Sequence, residues 1–355
     1  MGLRKLTGTD GFVVVDLDDA PGSAGLMRLA PKILPSGARE LARSATYAFA
    51  SVGMRRSGAS GGINARPDAR ADAVEAFVAQ CAPWVADGEF LPDAGKGLSD
   101  ADLAPLQSRD PRHPIRLSAS DGISLADRLA GVGAVAAVAA ALGGLEGRRL
   151  VIEGCGPAGV AAAAAAAERG ATLSGVASGS GFCSAPTGGE LDTTAFAEAW
   201  AAHGPDFVQH LNGACSDAAD VWGAAGDVLL VGSKMGVLDH DVASGLTVAA
   251  IGCLHPVPFT TRALVVLQAA GALVLADFIC LAGPLFAAWP GELAGLEGDA
   301  ITAEAIEQAA ISAIADLMSE TVEHPNGAFL GACHHAESFL ATWREQLPFG
   351  RPLAA

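Results

Sequence analysis

The stretch "RRLVIEGCGPAGVAAAAAAAERGATLSGVAS", residues 148–178, decides how the rest of the chain is read. The run "RRLVIEG" has the length and apolar content of a buried strand, and "PAGVAAAAAAAERG" those of a helix. "ATLSGVAS" is a second strand. The alanines 161–167 make a helix of small side chains, able to lie very close to a sheet. Working outward, "DVLLVG" (227–232), "LTVAAIG" (246–252) and "ALVLAD" (272–277) read as further strands, with helical or loop crossovers between them. Strands alternating with helices imply a parallel, doubly wound sheet. Just before it, "SLADRLAGVGAVAAVAAALGGL" is an alanine-rich helix capped by Ser124 and ended by Gly143–Gly144.

The part up to about residue 120 is different, mixing the β-type run "GFVVVDLD" with the helical "GARELARSATYAFASV" and "ARADAVEAFVAQCAPWVA". "LQSRDPRHPIRLSASDG", residues 106–122, reads as a linker rich in proline, aspartate and arginine. The expected fold class is therefore α/β with two domains and a cleft between them. A smaller substrate and oligomerisation domain covers 1–122, with C-terminal helices 302–355 packing back on it. A dinucleotide-binding domain covers 123–301.

Bulk properties narrow the function classes. With 355 residues, 51% hydrophobic and 17% charged, the chain can bury two cores and is not disordered. A net charge of −17 argues against a nucleic-acid partner, which would need a basic stripe. Seven cysteines, scattered and without CxxC spacing, suit thiols in a reducing cytoplasm rather than a zinc site. "ALVVLQAAGALVLADFICLAGPLFAAW" (263–289) approaches transmembrane length, but Gln268, Asp277 and Pro284 interrupt it. A helix followed by a buried parallel strand is the better reading, and no membrane partner is expected. The adjacent His334 and His335 point about 100° apart on a helix, so no metal face is expected.

"GCGPAG" places Gly154, Gly156 and Gly159 in GxGxxG spacing between a strand and a helix, the context that gives this motif meaning. Gly154 allows the tight turn, Gly156 lets the backbone approach a pyrophosphate, and Gly159 lets helix and strand pack closely. With Pro157 and Ala158 they form the expected phosphate-binding turn, whose helix N-terminus offers amides and a positive dipole end. The second strand ends in "GVASGSG", with Ser178 and Ser180 where an acid that holds ribose hydroxyls would stand. An uncharged turn does not repel a 2′-phosphate, yet no arginine follows to grip one. The cofactor is NAD or NADP.

The chain resembles the glutamate/leucine/phenylalanine/valine dehydrogenase family. The resemblance runs from about Gly11 to Pro284 through "SAGLMRL", "LARSATYAFASVGMRRSGASGGI", "LPDAG", "EGCGPAGVAAAAAAAERGA", "KMGVL" and "ADFICLAGPL", in the family's order. It implies oxidation of an amino acid to a keto acid by hydride transfer to a nicotinamide, and a homodimer or larger oligomer. In that family two lysines and an aspartate carry the chemistry: one lysine holds the substrate carboxylate, the other activates water, and the aspartate moves protons. The resemblance places Ala48 at the first lysine, Ser60 at the second and Asp93 at the aspartate. Ala130 falls where the family has a threonine, and His255, Pro256 and Leu281 where it has asparagines.

A missing general base costs about 10²–10⁴-fold in rate, or about 3–5 kcal/mol. The expected activity is thus an NAD(P)-dependent oxidoreductase acting on a small alcohol or carbonyl compound rather than a standard α-amino acid. Asp93 is the candidate acid/base. Ser60 and His255 are candidate substrate hydrogen-bonding groups, and Lys234, at the end of a strand, a candidate charge stabiliser. Arg28, Arg55, Arg56 and Lys96 are cations without an assigned role. Two alternatives stay open: a redox-neutral isomerase or lyase that keeps its nicotinamide bound, and a retired homologue that binds a ligand or partner.

Overall fold

The computed structural model describes residues 1–186 and 189–355. The chain divides into two units, one of residues 1–114 and 336–352, the other of 115–335 and 353–355.

In the first unit the five-residue run β2 (Gly11–Val15) is buried along its whole length, which only a strand inside a sheet can be. It lies in a five-stranded sheet with β1 (Gly2–Lys5), β3 (Ser23–Ala30), β4 (Ser57–Asn64) and β5 (Phe90–Ala94), in the order β1-β2-β4-β3-β5. β3, β4 and β5 are parallel, while β1 and β2 run antiparallel to their neighbours. Helix α1 (Pro35–Ser51) packs on β4, and the glycines of that strand are the reason it can. A Cβ on Gly58 would fall 1.9 Å from the Ala42 carbonyl oxygen of α1, so the helix backbone rests directly on the strand. Helices α2 (Arg70–Ala86) and α3 (Asp100–Gln107) pack on β5.

Residues 336–352 complete this unit. Arg43 of α1 grips Asp16 through two hydrogen bonds of 2.7 and 2.8 Å and donates to the carbonyls of Phe349 and Gly350. Tyr47, fully buried, donates to Glu337 at 2.9 Å, and Arg351 holds the same carboxylate at 2.8 and 2.9 Å.

The second unit opens with a short hairpin of β6 (Ala119–Ser120) and β7 (Ile123–Ser124). Helix α4 (Leu125–Leu142) begins with the Ser124 hydroxyl accepting from the Asp127 amide at 3.0 Å and stops at Gly143, φ +69°. It is long and apolar enough to cross a membrane by length and composition, and here it packs against neighbouring helices and a strand. The chain continues through β8 (Arg149–Glu153), α5 (Pro157–Ala167), β9 (Thr172–Ser178), β10 (Gly181–Ser184), α6 (Thr193–His203), β11 (Ala214–Ser216) and β12 (Val228–Val231). It then forms α7 (His240–Gly245), β13 (Ala250–Cys253), α8 (Thr261–Ala269) and β14 (Leu273–Val274). The sheet order is β11-β10-β9-β8-β12-β13-β14, parallel from β9 to β14. Because β8 leads to β9 on one side and its other neighbour is β12, the order reverses at β8, where such sheets bind ligands.

The 263–289 segment resolves into α8, the parallel strand β14, and the short helices α9 (Asp277–Cys280) and α10 (Gly283–Ala288). After α11 (Pro290–Ala294), α12 (Ala303–Thr321) buries Ile306, Ala310, Ile314 and Met318, one stripe at helical spacing, and packs on α4 and α10. Helix α13 (Ala328–Leu340) follows.

Residues 106–122 hold the boundary between the two units, as a linker would, yet Arg112 within them is buried and binds Pro92, Asp93 and Asp110. One sequence expectation needs correction: the sheet is not parallel throughout, because β9 turns through a two-residue hairpin, Gly179–Ser180, into antiparallel β10 and β11. Alternating small and polar residues left that edge without a periodic signal.

Candidate functional site

The turn between β8 and α5 treats its three glycines differently. Gly154 has φ +67°, and a Cβ there would lie 2.1 Å from the Ser233 amide nitrogen, so the loop after β12 closes against it. A Cβ on Gly159 would lie 2.5 Å from the Cys155 sulfur, which makes that thiol a packing group beneath the helix. Around Gly156 nothing stands within 4 Å of a Cβ position. The middle glycine, the N-cap of α5, alone faces open space. Pro157 at the first helical position has no amide to lose, and those of Ala158 and Gly159 lack intrahelical acceptors. A pyrophosphate fits this turn: the chain comes bare to the place where the helix dipole is most positive. Glu153, at the end of β8, is buried and accepts from the amides of Gly232 and Ser233 at 3.2 Å each, locking the β12 loop to the turn.

At the end of β9, the Ser178 and Ser180 hydroxyls both reach the Pro205 carbonyl oxygen, at 2.8 and 3.1 Å. A carbonyl only accepts, so hydroxyl protons are spent there, while the buried Ser178 oxygen accepts from the Ser180 amide at 3.2 Å and lies 2.9 Å from the Ser180 hydroxyl. No local pattern links Ser178 to that carbonyl, 27 residues on. The next residue in the chain is Asp206, which is exposed. Among the described residues, a hollow of about 850 Å³ lies elsewhere, at the starting ends of β8 and β9 beside Arg149, Thr172 and Ser174.

His255 follows β13, partly buried, with Nδ1 2.7 Å from the Pro256 carbonyl oxygen. A carbonyl only accepts, so the proton of that bond sits on Nδ1. The next residue, Val257, has φ +55°, a costly conformation for a β-branched side chain. Asp277, fully buried at the start of α9, accepts the Val257 amide at 2.8 Å and holds the loop there. Lys234 is exposed in the loop after β12, and Leu281 is partly buried.

In the first unit, Asp93 ends β5 with its carboxylate 41% exposed and 2.6 Å from Arg112 Nη1. Arg112 also donates to the Pro92 carbonyl at 3.0 Å and chelates Asp110, at 2.7 Å from Nη2 and about 3 Å from Nε. Burial works against its charge, but Asp93 and Asp110 outweigh it and hold the guanidinium above its ordinary range. Arg112 is the residue that sequence reasoning missed; its polar, proline-rich surroundings looked like exposed chain. Ser60, in contrast, is fully buried in β4 and donates to the Leu26 carbonyl at 2.8 Å, so its proton bonds the neighbouring strand. Ala48 is partly open on α1, and Lys96 and Arg55 are exposed. Among the described residues no group of three or more His, Cys, Asp or Glu side chains could hold a metal.

The arrangement has known counterparts. The chain superposes on the hetero-hexameric glutamate dehydrogenase of Thermus thermophilus with a TM-score of 0.75 over 95% of its own length and 86% of that chain, at 22% identity. Plasmodium falciparum glutamate dehydrogenase matches with a TM-score of 0.75 at 15% identity, covering 94% and 83% of the two chains. L-tryptophan dehydrogenase of Nostoc punctiforme matches with a TM-score of 0.64 at 15% identity, covering 96% and 95%. No curated protein sequence matches the chain. Residues 122–327 match the model of the glutamate/leucine/phenylalanine/valine dehydrogenase family, which agrees with the glycine turn, the strand order and the two-domain α/β fold. The chain belongs to the glutamate/leucine/phenylalanine/valine dehydrogenase family.

Proposed function

We propose that the protein is an NAD-dependent oxidoreductase that interconverts an alcohol and a carbonyl compound and does not turn over standard α-amino acids efficiently. The observation that carries this reading is the glycine turn, in which Gly154 and Gly159 are closed by packing while Gly156 opens onto the N-terminus of α5. NAD is favoured over NADP by the hairpin after β9. Its serine hydroxyl protons are spent on the Pro205 carbonyl rather than offered to a phosphate, and the exposed Asp206 that follows Pro205 adds negative charge to that segment.

When bound, the nicotinamide supplies the hydride acceptor. Asp93 takes or returns the proton of the substrate oxygen, and Arg112 fixes that carboxylate in position. His255 is the substrate hydrogen-bonding group of the second unit, its ring orientation set by the Nδ1 hydrogen bond. Lys234 is a mobile, exposed charge stabiliser, and Ser60 is a wall residue whose hydroxyl ties β4 to β3. The family resemblance that puts Ala48 and Ser60 at two lysine positions supports the exclusion of amino acids. Homo-oligomerisation and a cytoplasmic location are part of the same proposal.

The test is a titration of the purified protein with NADH and NADPH, after its absorbance has been checked for retained nucleotide. Micromolar NADH binding, weaker NADPH binding, and a gain in NADPH affinity on Asp206→Asn are expected. A substrate screen then follows, with the double variant Asp93→Asn, His255→Ala as the inactive control. Brisk oxidation of leucine, phenylalanine, valine or glutamate, or full activity in the double variant, would overturn the assignment.

A further inference from the structure

The antiparallel edge of the second sheet carries two thiols that the candidate site does not use. Cys183 is the third residue of β10 and Cys215 the second of β11, and the register sets them directly opposite each other. The backbone of β10 tells which kind of pair this is. The Ala185 amide donates to the Ser174 carbonyl of β9 at 3.0 Å, and in an antiparallel ladder such bonded positions alternate. Gly181 and Cys183, opposite Ser178 and Val176, therefore also turn their amides and carbonyls to β9. Toward β11, then, Cys183 and Cys215 form a non-hydrogen-bonded pair. The two side chains of such a pair leave the sheet on the same face, from Cα atoms about 4.5 Å apart. A disulfide spans Cα atoms about 4.4–6.8 Å apart, so neither strand has to move to accept one.

The surroundings fit a pair that can close. A Cβ on Gly213, just before β11, would lie 2.5 Å from Cys183 Sγ, so that sulfur rests over bare backbone. The two thiols are hydrogen-bonded, and the Cys183 thiol is pushed up to about 12, by burial first and then by the charge and hydrogen bond of Cys215. Among the described residues Cys215 is the one exposed thiol, and its S–H donates to the Val208 carbonyl at 3.6 Å. A small packing group gains nothing from standing in water. The roles divide accordingly: Cys215 meets molecules from solvent, and Cys183, protonated behind it, meets Cys215.

We propose that Cys183 and Cys215 are a modification site, which a low-molecular-weight disulfide closes into an intramolecular disulfide. The Cys215 thiolate attacks one sulfur of the reagent, whose S–S bond breaks, and one reagent thiolate leaves and takes up a proton. Cys183 then gives its proton to solvent and attacks Cys215 Sγ, and the second reagent thiolate leaves and is protonated in turn. The protein gives up two electrons and two protons, and the reagent receives them as two thiols. Capping Cys215 takes its charge away from Cys183, one of the causes that keep that thiol protonated, so the first step prepares the second. Closure also removes the S–H that the Val208 carbonyl accepts. The segment Gly204–His210, which supplies the Pro205 carbonyl to the Ser178 and Ser180 hydroxyls, then has one hold fewer on the sheet edge. The pair stays open in reducing surroundings and closes where small disulfides accumulate, whichever substrate the protein takes.

The experiment incubates the full chain, reduced and then freed of reductant, with oxidised glutathione at pH 8. It is read by intact mass and by peptide mapping without reduction. The wild type should lose two hydrogens in mass and give one linked peptide pair containing Cys183 and Cys215, both reversed by dithiothreitol. Cys183→Ser should stop at one glutathione adduct on Cys215. Cys215→Ser should stay unmodified over the time in which the wild type closes. The oxidised wild type should melt at least about 4 °C above the reduced form, because the link constrains the unfolded chain without straining the fold. A wild type that stays unmodified, that holds glutathione on Cys215 without closing, or that links Cys215 to any other cysteine overturns the proposal. So does an oxidised form that melts below the reduced one, since the strands would then be strained by the link. Should either serine variant fail to fold, the wild-type peptide map and melting temperatures decide alone.

Discussion

Replacing Gly154 and Gly156 in turn by alanine separates folding from binding within three residues. At Gly154 an alanine would have to hold φ +67°, at a cost of about 1–2 kcal/mol. Its methyl would also fall 2.1 Å from the Ser233 nitrogen, and the displacement of that loop adds about 1–3 kcal/mol. A loss of about 2–5 kcal/mol lowers the melting temperature of a unit this size by roughly 4–20 °C. Gly156 has φ −118° and open space, so its alanine strains nothing. The weaker N-cap is offset by the entropy removed from the unfolded chain, and stability should change by less than about 1 kcal/mol. That same methyl stands where a pyrophosphate must approach, and NADH affinity should fall about 10–100-fold, or about 1.4–2.7 kcal/mol. Thermal denaturation and a fluorescence titration with NADH read the two quantities on the same samples. A Gly156→Ala variant that binds NADH like the wild type refutes the placement of the phosphates. One that melts as early as Gly154→Ala refutes the packing argument.

Two further outcomes are expected. Arg112→Met removes the guanidinium from the Asp110 carboxylate, which is 5% exposed, and should cost about 3–5 kcal/mol in urea denaturation; a loss below 1 kcal/mol would show that the network is solvated. Cys215 is exposed while the other six thiols are buried, and burial pushes the Cys81 thiol up to about 12. An aromatic disulfide reagent at pH 8 should therefore modify one thiol quickly, and Cys215→Ser should remove that phase.

The parallel sheet was legible because β8 has an apolar centre, β12 and β13 are apolar throughout, and α4 and α5 are bounded by Ser124, Gly143 and the glycine turn. Such signals lie within a few residues of what they specify. The candidate site was legible only where it depends on backbone, at Gly154, Gly156 and Gly159. Side-chain networks were not. Arg112 meets Asp93 across 19 residues, and Ser178 meets the Pro205 carbonyl across 27, with no periodicity to connect them. Ser60 illustrates the opposite error, since a polar residue in a glycine-rich strand suggests a ligand group while its hydroxyl serves the sheet. The β10–β11 edge escaped notice because its strands are four and three residues long.

The first unit is made of two pieces of sequence, 1–114 and 336–352, with the body of the second unit between them. Arg43 waits for the carbonyls of Phe349 and Gly350, and Tyr47 for Glu337. During synthesis the α1 face that these groups cover emerges long before its partners. At about 5–20 residues per second, more than 220 residues separate the two, a delay on the order of 10–50 s. All but the last three residues of the second unit are made in that interval, so most of it can fold before the first is complete. The earliest-made part of this protein is thus the last to mature, and a premature stop between residues 114 and 336 would release a chain in which that part had never closed.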